Sequence, residues 1–193
     1  MHPSRSRADL LAAIESGERP RYLFFWNQNT PGASVHKGCL SQWYPSPFTS
    51  EGHTFATAEH YMMWRKAVLF DDADTATRVL AAGHPRAAKD LGRRVRGFDQ
   101  ATWEAERFGI VAEGSTLKFA STPALREYLL GTGARVLVEA SPLDRVWGIG
   151  LTEDDPRAAD PGQWQGLNLL GFALHEARAR LHRPTAASLL RRP

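Results

Sequence analysis

Apolar positions along the chain fall into short runs and helical stripes, with no repeat. RYLFFWNQ, starting at Arg21, is an aromatic-rich run of strand type. NTPGASVHKG, which follows, is turn chemistry. CLSQWYPSPFTSEGHTFAT carries two prolines and a glycine and predicts strand and loop, with a hairpin around Glu51-Gly52. From Ala58 to Phe70 the pattern becomes helical, and Thr57 is placed to cap that helix. Helical stripes then dominate. DADTATRVLAAG ends on Gly83, and Pro85 suits the first turn of HPRAAKDLGRRV. Asp99 is a cap for the long stretch QATWEAERFGIVAEGSTLKFAS, in which Gly109 and Gly114 weaken continuity. TPALREYLLGTG predicts a short helix with Thr122 as cap, Pro123 at its first position and Gly131 after its last. RVLVEA reads as a strand and SPLDRVWGIGLTEDDPRAADPGQWQG as a loop. NLLGFALHEARARL is a closing amphipathic helix with Leu170, Leu174, Ala177 and Leu181 on one face.

These elements add up to an α+β class: a mainly helical single domain with a few short strands. No regular alternation of strand and helix appears, which argues against a doubly wound sheet. The domain is expected over residues 21–182. Residues 1–20 form an N-terminal arm or short helix, and 183–193, after a helix end, read as a tail.

Composition narrows the picture. The chain has 193 residues, enough to bury a full core as one domain. No apolar run approaches the roughly 20 residues of a membrane span, and MHPSRSRADL has no apolar signal region. The single Cys39 excludes an internal disulfide framework and fits a reducing cytoplasm. Net charge is a mild +3, yet only four of the 24 basic residues are lysines (37, 66, 89 and 118), which leaves 20 arginines. Arginine suits phosphate contacts, and coding bias gives the same ratio. Either way, a lysine in this chain is an uncommon choice.

Against that background TAEHYMMWRKA stands out. Glu59 and Lys66 are seven residues apart, so on a helix they project in nearly the same direction, about 10.5 Å apart along the axis. They are not spaced as a surface ion pair. Either the stripe faces solvent, or both long side chains converge on one object. A lysine in an apolar, aromatic setting is more readily a free amine, able to attack a carbonyl-like carbon such as the anomeric carbon of an N-linked ribose. A neighbouring carboxylate would then move protons. In SPLDRVWGIG, Asp144 and Trp147 with Gly148 and Gly150 describe either a ligand-approaching loop or a turn around a buried ring. Arg93, Arg94 and Arg96 after Gly92 either hold phosphate or are solvated. Trp43, Tyr44 and Phe48 either stack on a base or pack the core. No phosphate loop, dinucleotide fingerprint or zinc-protease motif is present, the histidines lack ligand spacing, and one cysteine cannot build a deaminase-type zinc site. Nothing calls for a metal or a cofactor. The role of Lys118 in LKFA is left open by the sequence, snorkelling from a half-buried helix face being one reading.

Taken in order, LSQWYPSPF, TAEHYMMWRKA, KDLGRRV, LKFA, DRVWGIG and GLNLLGFAL make residues 22–182 resemble the NADAR domain family, also called YbiA-like. The resemblance implies an N-glycosidase that cleaves the bond between ribose and a nitrogen base. Substrates of that kind are phosphoribosylamino-pyrimidine intermediates of riboflavin synthesis and ADP-ribose attached to guanine, so modified nucleic acid is an implied partner. Glu59, His60, Tyr61 and Lys66 match the family helix, Asp144, Trp147 and Gly148 its D-x-x-W-G, and Arg93 its G-R element. The implied mechanism has Lys66 attacking the ribose C1′, with Glu59 and Asp144 assisting proton transfer. Trp43 and Trp147 would flank the base or sugar, His60, Tyr61, Gly148 and Asn168 would contact substrate, and Arg93 would bind phosphate. The chain departs from the family pattern at Ser41, Gln42 and Trp43, at Ile149 and at Leu167, all on the substrate side. A non-catalytic reader of ADP-ribose and a nucleic-acid-binding module are the rival readings.

Overall fold

Side chains that close helix N-termini set the frame of the computed structural model, which describes residues 5–26 and 35–182. Thr57, Asp72, Asp99 and Thr122 each accept a hydrogen bond from the backbone N–H three residues on, and His84 from Arg86. Each satisfies a donor that the first helical turn leaves open. They start α2 (Ala58–Leu69), α3 (Ala73–Leu80), α5 (Gln100–Ala120), α6 (Pro123–Gly131) and α4 (Pro85–Gly92), the last two with proline in the first turn. α1 spans Arg7–Glu15 and α7 spans Leu169–His182. α6 runs one residue further than expected and includes Gly131; the left-handed residue beyond it is Gly133. Most of the NTPGASVHKG turn and the tail from 183 lie outside the described residues.

The strands are few and short, as the sequence predicts. β1 (Tyr22–Phe25) runs parallel to β4 (Val136–Glu139), with Tyr22 opposite Val136 and Phe25 opposite Glu139. β2 (Phe48–Ser50) and β3 (His53–Phe55) form the predicted hairpin, turned by Glu51 and Gly52, both at positive φ. β4 is covered on both sides. Leu137 joins a large core with Phe25, Tyr61, Phe119 and Leu174, while Val136 and Val138 join a second cluster with Leu10, Ile149, Trp164 and Phe172. Burial on both faces is why its sequence is a continuous apolar run. α1 seals the second cluster through Leu10, and Arg7 donates to the carbonyls of Trp164 (2.9 Å) and Gly162 (2.7 Å), so this segment is a docked helix. No described helix is long and apolar enough to cross a membrane.

α5 is continuous through both of its glycines for different reasons. Gly109 faces open space, whereas Gly114 lies against the Tyr61 ring, where a Cβ would stand 2.5 Å from a ring carbon. Lys118, whose role the sequence left open, does not snorkel. It is fully buried, and its ammonium donates to the Ser41 carbonyl at 2.7 Å. Burial pulls its pKa down to about 7.

Candidate active site

α2 brings Glu59, Met62, Met63 and Lys66 to one wall of a cavity of about 510 Å³. These positions share a stripe, as the 3.6-residue period dictates. The segment Ser41–Trp43 forms the adjacent wall and is tied to α2 by the Glu59 N–H donating to the Gln42 carbonyl (3.0 Å). Lys89 and Arg93 come from the end of α4, Phe98, Trp103 and Arg107 from the entry to α5, Glu139 from the end of β4, and Asp144 and Trp147 from the loop after it.

Lys66 is half-buried. Its Nζ lies 4.1 Å from the centroid of the Phe98 ring and 5.3 Å from that of Trp103, and it forms no ion pair with a described residue. Burial alone lowers its pKa, so the amine is more available than in solvent. Glu59 is 3% exposed. Burial raises its carboxyl to about 7, against the pull of Lys89 and of a hydrogen bond from the Trp43 side chain. Its Oε1 has no partner among the described residues.

The loop residues divide by role. Asp144 Oδ1 accepts from the N–H groups of Val146 (2.9 Å) and Trp147 (2.7 Å), which fixes the turn that sets Trp147 against the cavity. Gly148 is outside the cavity wall; a Cβ there would lie 2.9 Å from the Glu139 carbonyl. Asn168 is fully buried, at positive φ, and also outside the wall. Its Nδ2 donates to the Leu137 carbonyl and its Oδ1 accepts from the Glu139 N–H, both at 3.0 Å.

Other expected contacts are not brought to the cavity. His60 is buried with its ring between Thr57 Oγ1 (2.8 Å) and the Ala82 carbonyl (3.0 Å), joining the start of α2 to the end of α3. Tyr61 is buried among Phe48, Phe55 and Trp64. Both correct the substrate-contact expectation: they follow Glu59 by about 100° and 200° around the helix and point into the core. Phe48, on β2, packs in the core against Phe55 and Tyr61, and Arg96 is engaged by buried Asp72 at 2.7 Å. Trp43 does line the cavity, with His84 edge-on and Arg86 over its ring. Arg93 is an exposed cation on the wall, beside Asp90.

Three wall residues escape the sequence reading. Glu139 ends an apolar strand, and its carboxyl is raised to about 8 by burial and by Asp144 and Glu59; its buried Oε2 has no partner among the described residues. Arg107 has a buried Nε without a partner among the described residues. Lys89 acts on both glutamates. The one local signal was the polar residue closing RVLVEA. No group of three or more His, Cys, Asp or Glu side chains among the described residues is arranged to hold a metal ion. What the cavity offers is an amine with no ion-pair partner among the described residues, two carboxyls raised above the ordinary range by burial, cations and flat rings.

Comparison with known proteins agrees in extent and fold. The profile of the NADAR domain matches residues 24–182. N-glycosidase R617 of Acanthamoeba polyphaga mimivirus is 42% identical over 166 residues, 83% of this chain and 96% of that protein. The chloroplastic riboflavin biosynthesis protein PYRR of Zea mays is 33% identical over 135 residues, 66% of this chain and 20% of that protein. The NMR structure of the E. coli protein YbiA superposes with a TM-score of 0.69 at 25% identity, covering 91% of each chain.

Proposed function

Because this chain belongs to the NADAR domain family, we propose that it is an N-glycosidase that cleaves the C1′–N bond between a ribose and its base, through a covalent imine at Lys66. The observation that carries this reading is the state of Lys66: a half-buried ammonium with aromatic neighbours and no ion-pair partner among the described residues, sharing a cavity with a buried carboxyl. A surface lysine has no reason to be kept that way. A nucleophile does, because only the free amine attacks carbon.

The neutral amine adds to C1′ as the base departs, and Glu59 moves protons. Ring opening gives the imine, which water then hydrolyses to release the sugar and restore the amine. Trp43 and Trp147 offer flat faces to base or sugar, and Arg93, Lys89 and Arg107 offer positive charge to phosphate. The substrates that fit are ADP-ribose linked to guanine, free or in nucleic acid, and a phosphoribosylamino-pyrimidine. A relative named for riboflavin biosynthesis supports the second, and the cluster of cations supports either.

The test is base release from ADP-ribosylated guanosine and from a phosphoribosylamino-pyrimidine by wild type, Lys66→Ala and Lys66→Arg. Wild type is expected to release base from at least one, and both variants to lose at least about 10³-fold in turnover. Full activity in Lys66→Ala contradicts the mechanism. Binding of ADP-ribose without turnover of either substrate by wild type favours a nucleotide reader instead.

A further inference from the structure

We infer that Glu139 is a second catalytic residue, the acid that protonates the departing base while Glu59 acts as the base, and that Gly148 and Asn168 are positioning residues that hold it. The inference rests on the glycosidase reading above.

The placement of Glu139 is built from both sides of its backbone. Its N–H donates to Asn168 Oδ1 at 3.0 Å, and its carbonyl accepts from the Ile149 N–H at 2.9 Å. Asn168 is held in turn by donating to the Leu137 carbonyl two residues earlier on the strand, and it keeps a left-handed backbone there. Gly148 passes so close that a side chain would strike the Glu139 carbonyl. With both peptide groups clamped at the end of β4, the side chain is delivered into the cavity opposite α2. There its Oε2 is buried with no partner among the described residues, as is Oε1 of Glu59. Two unsatisfied carboxyl oxygens on one cavity are expensive unless a ligand completes them. Asp144 cannot serve in the same way through Oδ1, since that atom already accepts two backbone N–H groups.

The charges acting on Glu139 come from three elements: Glu59 on α2, Asp144 on the following loop and Lys89 on α4. Lys66, Arg93, Arg107 and Arg145 line the same cavity. Glu59 receives a hydrogen bond from the Trp43 side chain and the pull of Arg93, both favouring its ionised form. Glu139 has neither among the described residues and faces two carboxylates, so the proton shared by the pair is placed on Glu139. The first step then balances. The Lys66 Nζ lone pair forms a bond to C1′, and the C1′–N bond breaks with its electron pair going to the base nitrogen. That nitrogen takes the Glu139 proton. The substituted ammonium left on Lys66 gives one proton to the Glu59 carboxylate. The pair begins and ends with one proton, and only its location changes.

The test is the pH dependence of kcat/KM for base release, on whichever of the two substrates wild type turns over. Wild type is expected to show an alkaline limb near pH 8, where Glu139 loses its proton. Glu139→Gln is expected to lose that limb and about 10²–10³-fold in kcat, with KM within a few-fold of wild type. Glu139→Asp is expected to keep the limb at reduced kcat, and Asn168→Ala to shift it. Glu139→Gln with kcat within about threefold of wild type and the limb intact overturns the inference, as does a wild-type profile flat across pH 7–9, which requires no folded variant. Retained activity in Lys66→Ala instead sinks the parent reading, so the two failures are distinct.

Discussion

A carboxyl kept half-protonated at neutral pH is useful to a reaction and unfavourable to a fold. Glu59 has a folded pKa of about 7 against an ordinary value of 4.5. Because it is raised, its contribution to stability is fully present below about pH 4.5 and is lost as pH rises through about 7. Replacing it by glutamine removes the charge that burial penalises. Glu59→Gln is therefore expected to gain on the order of 2 kcal/mol of unfolding free energy at pH 8 and little at pH 4, while base release falls by at least about 10²-fold. Urea denaturation at the two pH values checks the first part, and a Glu59→Gln less stable than wild type at pH 8 refutes it. The Glu59–Lys66 pairing was legible because both lie on one helix, where spacing alone fixes direction. His60 and Tyr61 lie on the same helix, and the same period turns them away; a motif match ignores which stripe each residue occupies. Glu139 and Arg107 were illegible because only the fold brings β4 and α5 to α2, and no local pattern reports that approach.

At the scale of elements, helix caps and the hairpin turn were readable because their chemistry is local: a side-chain oxygen and an N–H three residues on, or two residues at positive φ. The glycines of α5 were not, since sequence shows their helix penalty and hides what faces them. Two alanine variants separate the cases. Gly109→Ala meets nothing within 4 Å and is expected to stabilise by about 0.5–1 kcal/mol through helix propensity alone. Gly114→Ala drives a methyl into the Tyr61 ring, which is packed by Phe48, Phe55 and Trp64, and is expected to destabilise by about 1–3 kcal/mol. Thermal unfolding of both variants checks this, and an equal sign for the two would show that the α5–α2 contact is looser than described. Lys118 connects the same helix to the site wall through the Ser41 carbonyl. Its depressed pKa means that its contribution to stability is fully present above about pH 10.5 and is lost as pH falls through about 7. Lys118→Met should flatten the gain in urea midpoint between pH 7 and 10, and an unchanged slope would contradict the buried amine.

Over the described residues, the helices and two small sheets place the candidate cavity where α2, α4, α5, the end of β4 and the loop after it meet. The α+β class followed from strand and helix patterns. The pairing of β1 with β4, more than a hundred residues apart, did not. That parallel pair ends at Glu139, on the cavity wall that α2 shares. The uncommon lysines repay attention: Lys66 and Lys89 line the cavity, and Lys118 braces its wall. The proposed reaction passes through a covalent bond between Lys66 and the sugar. The measurement that tests it most directly is borohydride reduction during turnover, followed by intact-mass analysis and peptide mapping. A sugar-phosphate adduct on Lys66, absent in Lys66→Ala, is the predicted result. Base released by wild type with no trapped adduct, or with an adduct on another residue, would contradict it.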